Sequence, residues 1–317
     1  MAIDCLDSIA TRTPGLSGLR AVVVDNASSD GSAEKLVDAV ERNRWHMWAS
    51  VLPLDRNGGF AAGNNAGVRQ ALQSDGSTDY FLLLNPDTLV REGAIRALVD
   101  FMDANPDVGI AGSRQESASG AAESTAHNAV TPLGELESSA RLGVLSRMLR
   151  RYAVSPPVRE SAHECDWVSG GSLIVRYKVL EDIGGLDEGF FLYFEEVDFC
   201  LRARRAGWKV WFVPQSRVVH LEGSSSGIRD TQRRRPPYWY DSRRRYFVKH
   251  FGVPGLMLAD TLWAIGRLSM MLRHILRLKP KGDTDDPKRY ALDLLGGDLR
   301  AILTRGVFKI SREDDAS

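Results

Sequence analysis

Apolar positions in the first half of the chain fall into short runs separated by longer stretches with helical spacing. Ile3, Leu6 and Ile9 share one side of a helix over residues 2–10, AIDCLDSIA. Leu19–Val24 (LRAVVV) is an apolar run ending at Asp25, the pattern of a strand buried in a parallel sheet. Asn26–Ser32 (NASSDGS) is turn chemistry, with Asp30 or Ser32 able to cap a helix near Ala33–Arg42. Val51–Leu54 reads as a short strand, Asn57-Gly58-Gly59 as a turn and Ala61–Gln73 as a helix. Tyr80–Leu84 (YFLLL) is another buried strand, closed by Asn85-Pro86-Asp87; Gly93–Asn105 is helical and Val108–Ala111 a strand. This alternation predicts an α/β fold, a mostly parallel sheet flanked by helices.

The pattern then loosens. Ser113–Ala126 is rich in Ser, Ala, Gly and Glu and reads as a surface loop. Leu133–Tyr152 reads as one helix that turns basic at Arg147, Arg150 and Arg151 and stops before Pro156-Pro157. Trp167–Val175 is a strand broken at Gly170-Gly171. A helix is expected near Glu195–Ala206, with strands at Lys209–Val213 and Arg217–His220. From Pro236 onward the spacing is helical. Leu256–Leu278 is apolar but carries Arg267, Arg273, His274 and Arg277, interruptions too frequent for an uncharged membrane span. Either it lies in a membrane interface, anchored by Trp263 and basic residues, or it packs its apolar side on the rest of the protein.

Composition narrows the function classes. With 43% hydrophobic residues in 317, the chain can build a sizeable core, as one large domain or two small ones. Basic and acidic residues number 41 each, which excludes a uniformly basic nucleic-acid binder. The distribution is uneven: Arg229–Lys281 holds 13 basic and 3 acidic residues, a stretch suited to an anionic surface. Arg233–Arg235 and Arg243–Arg245 flank the aromatic Tyr238-Trp239-Tyr240. Cys5, Cys165 and Cys200 are few and widely spaced, as in a reducing cytosol, and are expected to be packed core thiols. Asp4 and Asp7 interrupt the start, so no signal peptide is expected.

Candidate chemistry sits where a parallel sheet binds ligands, beyond the carboxyl ends of its strands. Asp25-Asn26 follows one strand and Asn85-Pro86-Asp87 another. A carboxylate there can accept from a nucleobase or ribose, hold a hard cation, or merely cap a turn. Arg56–Asn65 (RNGGFAAGNN) is glycine-rich and enters a helix, which lets backbone approach a phosphate or sugar. It has no Walker lysine and no dinucleotide spacing, which disfavours an oxidoreductase. In Phe190–Arg202 (FFLYFEEVDFCLR), Glu195, Glu196 and Asp198 crowd a helix start among aromatics. The helix dipole alone would favour acids there, but an apolar surround also raises a carboxyl pKa and suits a general base. His220 ends a strand as a metal ligand or a buried partner.

In this order, VVVDNASSDGS, RNGGFAAGNNAG, LLLNPDT, VSGGSLIVR, GGLDEGFFLYFEEVDFCLRARRAGW and VVH resemble the family 2 glycosyltransferases over roughly residues 1–250. The likeness is strongest to rhamnosyltransferase-type bacterial enzymes of cell-surface polysaccharide synthesis. The resemblance implies a GT-A fold in residues 1–250 and inversion at the anomeric carbon; the helical spacing and basic residues beyond it are expected to form a C-terminal extension over 251–317. It implies a nucleotide-sugar donor (dTDP-rhamnose, or a UDP-sugar), a divalent cation (Mg2+ or Mn2+) and a glycan or polyprenyl-linked acceptor. The setting it implies is cytoplasmic, peripheral on the inner face of the plasma membrane, with no nucleic-acid partner. Matched residue by residue, Asp25 and Asn26 contact the nucleobase end, and Asn57, Gly58, Gly59 and Asn64 lie along the donor. Asn85 and Asp87 stand at the family's DXD motif, and Asp87 with His220 holds metal. Glu196 is the catalytic base. Trp167, Gly170, Gly171, Glu195 and Asp198 line the sugar and acceptor pocket. The base is Glu rather than the commoner Asp, and Asn85 replaces an Asp. Family members open with a strand before the first helix, whereas this chain opens at the helix. The expectation is therefore a sheet lacking its first strand, which keeps open a non-catalytic nucleotide-sugar-binding protein.

Overall fold

A computed structural model describes residues 1–13, 15, 17–74, 78–221, 232–276 and 286–304. In chain order the elements are α1 (Ala2–Arg12), β1 (Ala21–Asp25), α2 (Ser32–Arg42), β2 (Ala49–Pro53), α3 (Gly59–Ser74), β3 (Tyr80–Leu84), β4 (Thr88–Val90), α4 (Ala94–Ala104), β5 (Val108–Glu116) and β6 (Ala126–His127). There follow α5 (Pro132–Ala140), α6 (Gly143–Met148), β7 (His163–Glu164), β8 (Trp167–Val168), β9 (Ser172–Arg176), α7 (Tyr177–Ile183), α8 (Glu195–Arg205), β10 (Lys209–His220), α9 (Pro237–Ile275) and α10 (Gly297–Leu303). Two compact units interleave along the chain. One comprises Met1–His127, Pro157–Phe191 and Glu195–Glu222; the other comprises Asn128–Pro156, Leu192–Phe194 and Gly223–Ser317.

The first unit is the α/β layer. Its main sheet runs β3-β9-β5-β10-β4, with β7 added beside β10. β5 and β10 are parallel, β9 lies antiparallel between β3 and β5, and β4 runs against β10. The strands that end near the candidate residues, β3, β5 and β10, thus point the same way. β1 and β2 pair in parallel with each other. α1 packs its two apolar edges differently: Leu6 joins Val40, Trp45 and Ala49, while Cys5 and Ile9 join Val90, Ala94 and Ile95. One face of the main sheet buries Ile110, Leu173, Val175 and Val210 with Phe199 and Cys200 of α8; Leu98 and Met102 of α4 pack with Ala111, Ile174 and Val213. Each fully buried Val, Leu, Ile, Phe or Met among them contributes about 1.5–3 kcal/mol. All three cysteines are free thiols, and burial pushes Cys5 and Cys200 up to about 12.

Three expected boundaries moved, each for a tertiary reason. β5 extends through Ser113–Glu116, where a loop was expected, because its polar residues find partners inside the sheet. Ser113 bonds Ser172 (2.8 Å) and Ser216 (2.7 Å), and Glu116 accepts from Arg217 Nε at 2.8 Å. β10 is one strand, with a register shift between Val213 and Arg217. The single helix expected over Leu133–Tyr152 is split into α5 and α6 at Arg141, which takes a left-handed backbone (φ 46°).

The second unit is helical. α9 is interrupted at Gly252 (φ 70°, ψ 177°) and carries Pro254 just beyond. Gly266 lies so close to Ser139 and Ala140 of α5 that a Cβ would collide with them. The basic segment differs from its expected role as a solvent-facing cationic surface. Arg243 is 1% exposed, ion-paired with Glu135 (3.1 Å), Asp260 (2.9 Å) and Asp298 (3.2 Å), and Arg244 bonds Asp298 at 2.6 Å. Arg245 is buried as well. Arg243 and Arg244 neutralise carboxylates within the unit, so the local charge excess overstates what solvent meets. The aromatic segment packs internally too: Trp239 and Tyr240 meet Tyr290, which contacts Trp263.

Candidate active site

All the candidate residues fall in the first unit. At the end of β1, Asp25 is buried and accepts the Ser28 amide at 3.0 Å, so it also shapes its own turn. Asn26 donates to the Gly59 carbonyl (2.9 Å) and accepts the Gly58 amide (3.2 Å), tying β1 to the glycine loop. Asn57 accepts the Gly59 amide at 3.0 Å. Gly59 has φ 85°, and a Cβ there would overlap the Phe191 carbonyl, which accepts the Phe60 amide at 2.8 Å. Both features require glycine. Asn64 turns back to the Phe60 carbonyl (2.9 Å) within α3. Its neighbour Asn65, which sequence reasoning passed over, clamps Leu186 through both backbone groups (2.8 and 3.0 Å).

The second cluster forms where β3 ends. The Asn85 amide donates to the Gly171 carbonyl (3.0 Å), Thr88 closes the turn on the Asn85 carbonyl (3.1 Å), and the Asp87 carbonyl accepts the Leu221 amide (2.9 Å). These bonds hold Asn85-Pro86-Asp87 against the end of β10. There His220 Nε2 lies 3.1 Å from Asp87 Oδ1 and 3.4 Å from Asn85 Nδ2. The hydrogen bond from His220 holds the Asp87 carboxyl below its usual range, against the opposing effect of burial. Asn85 Oδ1 is buried with no hydrogen-bond partner. A carboxylate, an unsatisfied amide oxygen and an imidazole nitrogen together suit a hard divalent cation. Among the described residues no group of three or more His, Cys, Asp or Glu could enclose a metal by itself. A cation here would therefore draw part of its coordination from ligand oxygens.

The third cluster is the start of α8. Glu195 is buried and Glu196 half-buried, and each has a buried Oε2 with no hydrogen-bond partner. Burial raises both carboxyls, Glu196 to about 7, and the charge of Glu196 adds to the rise at Glu195. Two adjacent buried carboxyls cannot both ionise cheaply, so the pair holds a proton to higher pH than either acid would alone. Asp198 is fully buried and paired with Arg202 (2.8 Å), which also donates to the Ile183 and Gly185 carbonyls (2.7 Å each).

Gly170 and Gly171 join the clusters. A Cβ on Gly170 would sit 3.5 Å from the Phe60 ring and 3.9 Å from Glu196 Cβ; one on Gly171 would sit 2.7 Å from Gln115 Nε2. The turn thus passes between the glycine loop, β5 and the base candidate, with the Asn85 turn bonded to it. Gln115 was not found from sequence: its Nε2 is buried without a partner, and no local pattern marks it. Trp167 stacks on His127 with ring centroids 4.0 Å apart.

A mixed sheet with helices on its faces and acidic turns at the carboxyl ends of co-directional strands is the architecture of the GT-A fold. A crystal structure of GalNAc-T7 with UDP, GalNAc and Mn2+ superposes with a TM-score of 0.55 over 93% of this chain and 54% of that one, at 15% identity. The model of the "Glycosyltransferase like family 2" matches residues 3–241, and the chain belongs to that family. Among curated relatives, the N-acetylglucosaminyl-diphospho-decaprenol L-rhamnosyltransferase of Mycobacterium tuberculosis is 27% identical over 231 residues, covering 69% of this chain and 71% of the relative. The Escherichia coli rhamnosyltransferase WbbL is 25% identical over 166 residues, 51% of this chain and 60% of WbbL.

Proposed function

We propose that this glycosyltransferase is an inverting enzyme that moves rhamnose from dTDP-rhamnose to a hydroxyl of a lipid-linked glycan, in cell-surface polysaccharide synthesis. UDP-sugars are the next donors in order. The observation that carries the proposal is the joining of two clusters in one unit. Glu196, with a raised pKa, lies beside Gly170, and the next residue, Gly171, holds Asn85 in the turn whose Asp87 meets His220. The rhamnosyl donor is favoured by both relatives' names, and the lipid-linked acceptor by the name of the Mycobacterium tuberculosis relative.

In this reading Glu196 takes the proton of the acceptor hydroxyl as its oxygen attacks the anomeric carbon. The bond to the diphosphate breaks on the opposite face and its electron pair leaves with the nucleoside diphosphate. No covalent intermediate on the protein is needed. Asp87, His220 and Asn85 Oδ1 would hold Mg2+ or Mn2+, which when bound neutralises the diphosphate charge. Asp25 and Asn26, with the loop at Asn57, Gly58 and Gly59, would receive the nucleoside end, and Asn64 braces the first turn of α3. Trp167, Gly170, Gly171 and Glu195 would border the sugar and acceptor, while Asp198 fixes Arg202. The enzyme would work in the cytoplasm against the inner face of the plasma membrane, where a lipid-linked acceptor is reached.

A donor screen tests this. The protein is incubated with an N-acetylglucosaminyl-diphospho-polyprenol acceptor and dTDP-rhamnose or UDP-hexoses, with Mg2+, Mn2+ or a chelator. Cation-dependent transfer from dTDP-rhamnose is expected. Transfer undiminished by chelator would remove the cation, transfer only from another donor would remove the rhamnosyl assignment, and no transfer from any donor would remove the catalytic reading.

A further inference from the structure

Three buried polar atoms without a hydrogen-bond partner in the protein are gathered around the turn at Gly170-Gly171: Glu196 Oε2, Asn85 Oδ1 and Gln115 Nε2. Gly170 faces Glu196, the Gly171 carbonyl accepts the Asn85 amide, and the Gln115 amide lies where a side chain on Gly171 would begin. The first two atoms are acceptors. The proposed reaction gives each a ligand, the attacking hydroxyl at Glu196 and the cation at Asn85. The third is a donor that the reaction as described leaves unused.

Gln115 is 3% exposed, so its amide cannot turn to bulk water. The sheet fixes where it stands. Its register partner on β10 is Val218, which places it on the same face as His220, two residues and about 7 Å further along that strand. Thr88, the partner of His220 on β4, shares this face. The neighbouring hydroxyls are engaged elsewhere: Ser113 bonds Ser172 and Ser216, and Thr88 reaches the Gly171 carbonyl at 3.4 Å. A buried donor left unpaired costs more than an ordinary hydrogen bond gains. An apolar side chain of the same length would fill this volume without that cost, so the amide points to an acceptor that arrives with a ligand.

We propose that Gln115 is a specificity-determining residue of the donor site, its Nε2 donating to a hydroxyl oxygen of the transferred sugar. The inference rests on the reading of the protein as a nucleotide-sugar-dependent transferase. In that reaction the sugar lies between the diphosphate, held by the cation at Asn85 and Asp87, and the attacking hydroxyl at Glu196. Gly170-Gly171 spans these two groups, and Gln115 is the donor packed against the span. A neutral amide matches a neutral hydroxyl, whereas the diphosphate charge falls to the cation. Burying such a donor also discriminates between sugars, because one that lacks the matching oxygen leaves the amide unpaired. Glycine at 171 is the complementary requirement: a Cβ there would sit 2.7 Å from Gln115 Nε2 and 3.1 Å from its Cδ, and would displace the amide.

The test is calorimetric titration of the full chain, in Mn2+, with two ligand pairs: dTDP and dTDP-rhamnose, UDP and UDP-glucose. Gln115→Met keeps the length of the side chain and removes the donor; Gln115→Glu keeps its shape and removes the donor as well. For whichever nucleotide sugar the native protein binds, Gln115→Met should bind it ~10-fold or more weakly while holding the matching nucleoside diphosphate as tightly as before. Gln115→Glu should bind that nucleotide sugar no better than Gln115→Met. Urea unfolding of Gln115→Met should occur at the native midpoint or above it, since an unpaired donor has gone. The proposal is overturned by unchanged nucleotide-sugar affinity in Gln115→Met, by an equal loss for the nucleoside diphosphate, by a lowered midpoint, or by native affinity in Gln115→Glu. Which pair the native protein binds tests the donor assignment separately, and a native protein that binds neither nucleotide sugar overturns the transferase reading together with this proposal.

Discussion

Replacing Glu196 with Gln keeps the side chain's size but removes the proton acceptor, and the structure assigns that change two effects of opposite sign. Burial has moved this carboxyl from 4.5 to about 7. It is then about one-tenth ionised at about pH 6 and nine-tenths at about pH 8, so transfer by the unmodified protein should rise roughly 10-fold between them. The Glu196→Gln enzyme should be slower by ~100-fold or more and indifferent to pH in this interval, with donor affinity retained. Stability runs the other way. Because the folded-state value is raised, the group's contribution is fully present below 4.5 and is lost as pH rises through about 7. The shift corresponds to about 3 kcal/mol, which Glu196→Gln should recover at about pH 8 and not at about pH 4. Single-turnover transfer and urea unfolding across this range test both effects. A variant that keeps near-native transfer, or that is no more stable than its parent at about pH 8, would refute the assignment of a buried base. If Glu195→Gln or Asp198→Asn loses transfer instead, the roles in this segment must be exchanged.

Asp87→Ala should abolish the enhancement of nucleoside diphosphate binding by Mn2+, read by calorimetric titration with and without the cation; an unchanged enhancement would remove Asp87 from the cation site. Gly59→Ala forces a Cβ onto the Phe191 carbonyl in a left-handed conformation. It should cost ~1–3 kcal/mol in unfolding experiments and weaken donor binding, whereas a neutral result would contradict the close approach of the two loops. Arg243→Met leaves Glu135, Asp260 and Asp298 crowded together without their cation and should destabilise the protein by about 3–5 kcal/mol in thermal or urea melts; near-neutral behaviour would mean that these carboxyls are already protonated.

The parts of this architecture that were legible in sequence are those set by local periodicity and turn chemistry. Tyr80–Leu84 and the helix at Glu195 stand where their patterns placed them, and the GT-A class followed from motif order. Asp25 and Asn85-Pro86-Asp87 stand at strand ends, as expected, because a buried apolar run that stops at a polar turn marks the place where the strand finishes. What stayed hidden depends on partners far along the chain. Ser113–Glu116 looked like a loop because Ser172, Ser216 and Arg217 supply its hydrogen bonds from 59 to 103 residues away. Gln115 becomes part of the site only through the backbone of Gly171, and nothing in its neighbours signals that. Arg243–Arg245 read as a cationic surface because charge can be counted along a sequence while burial cannot; Asp260 and Asp298, which neutralise Arg243 and Arg244, belong to later turns of the chain. The reversed direction of β9 is likewise invisible to a pattern that records alternation without orientation.

The central claim, direct displacement at the anomeric carbon with Glu196 as base, is tested most directly by the configuration of the product. Proton NMR of a reaction containing dTDP-rhamnose, a divalent cation and the lipid-linked acceptor would follow the anomeric signal from its first appearance. A new glycosidic bond of configuration opposite to the donor's, formed by the native protein and absent with Glu196→Gln, is the predicted result. A product that retains the donor's configuration, or one formed equally well by Glu196→Gln, would contradict it.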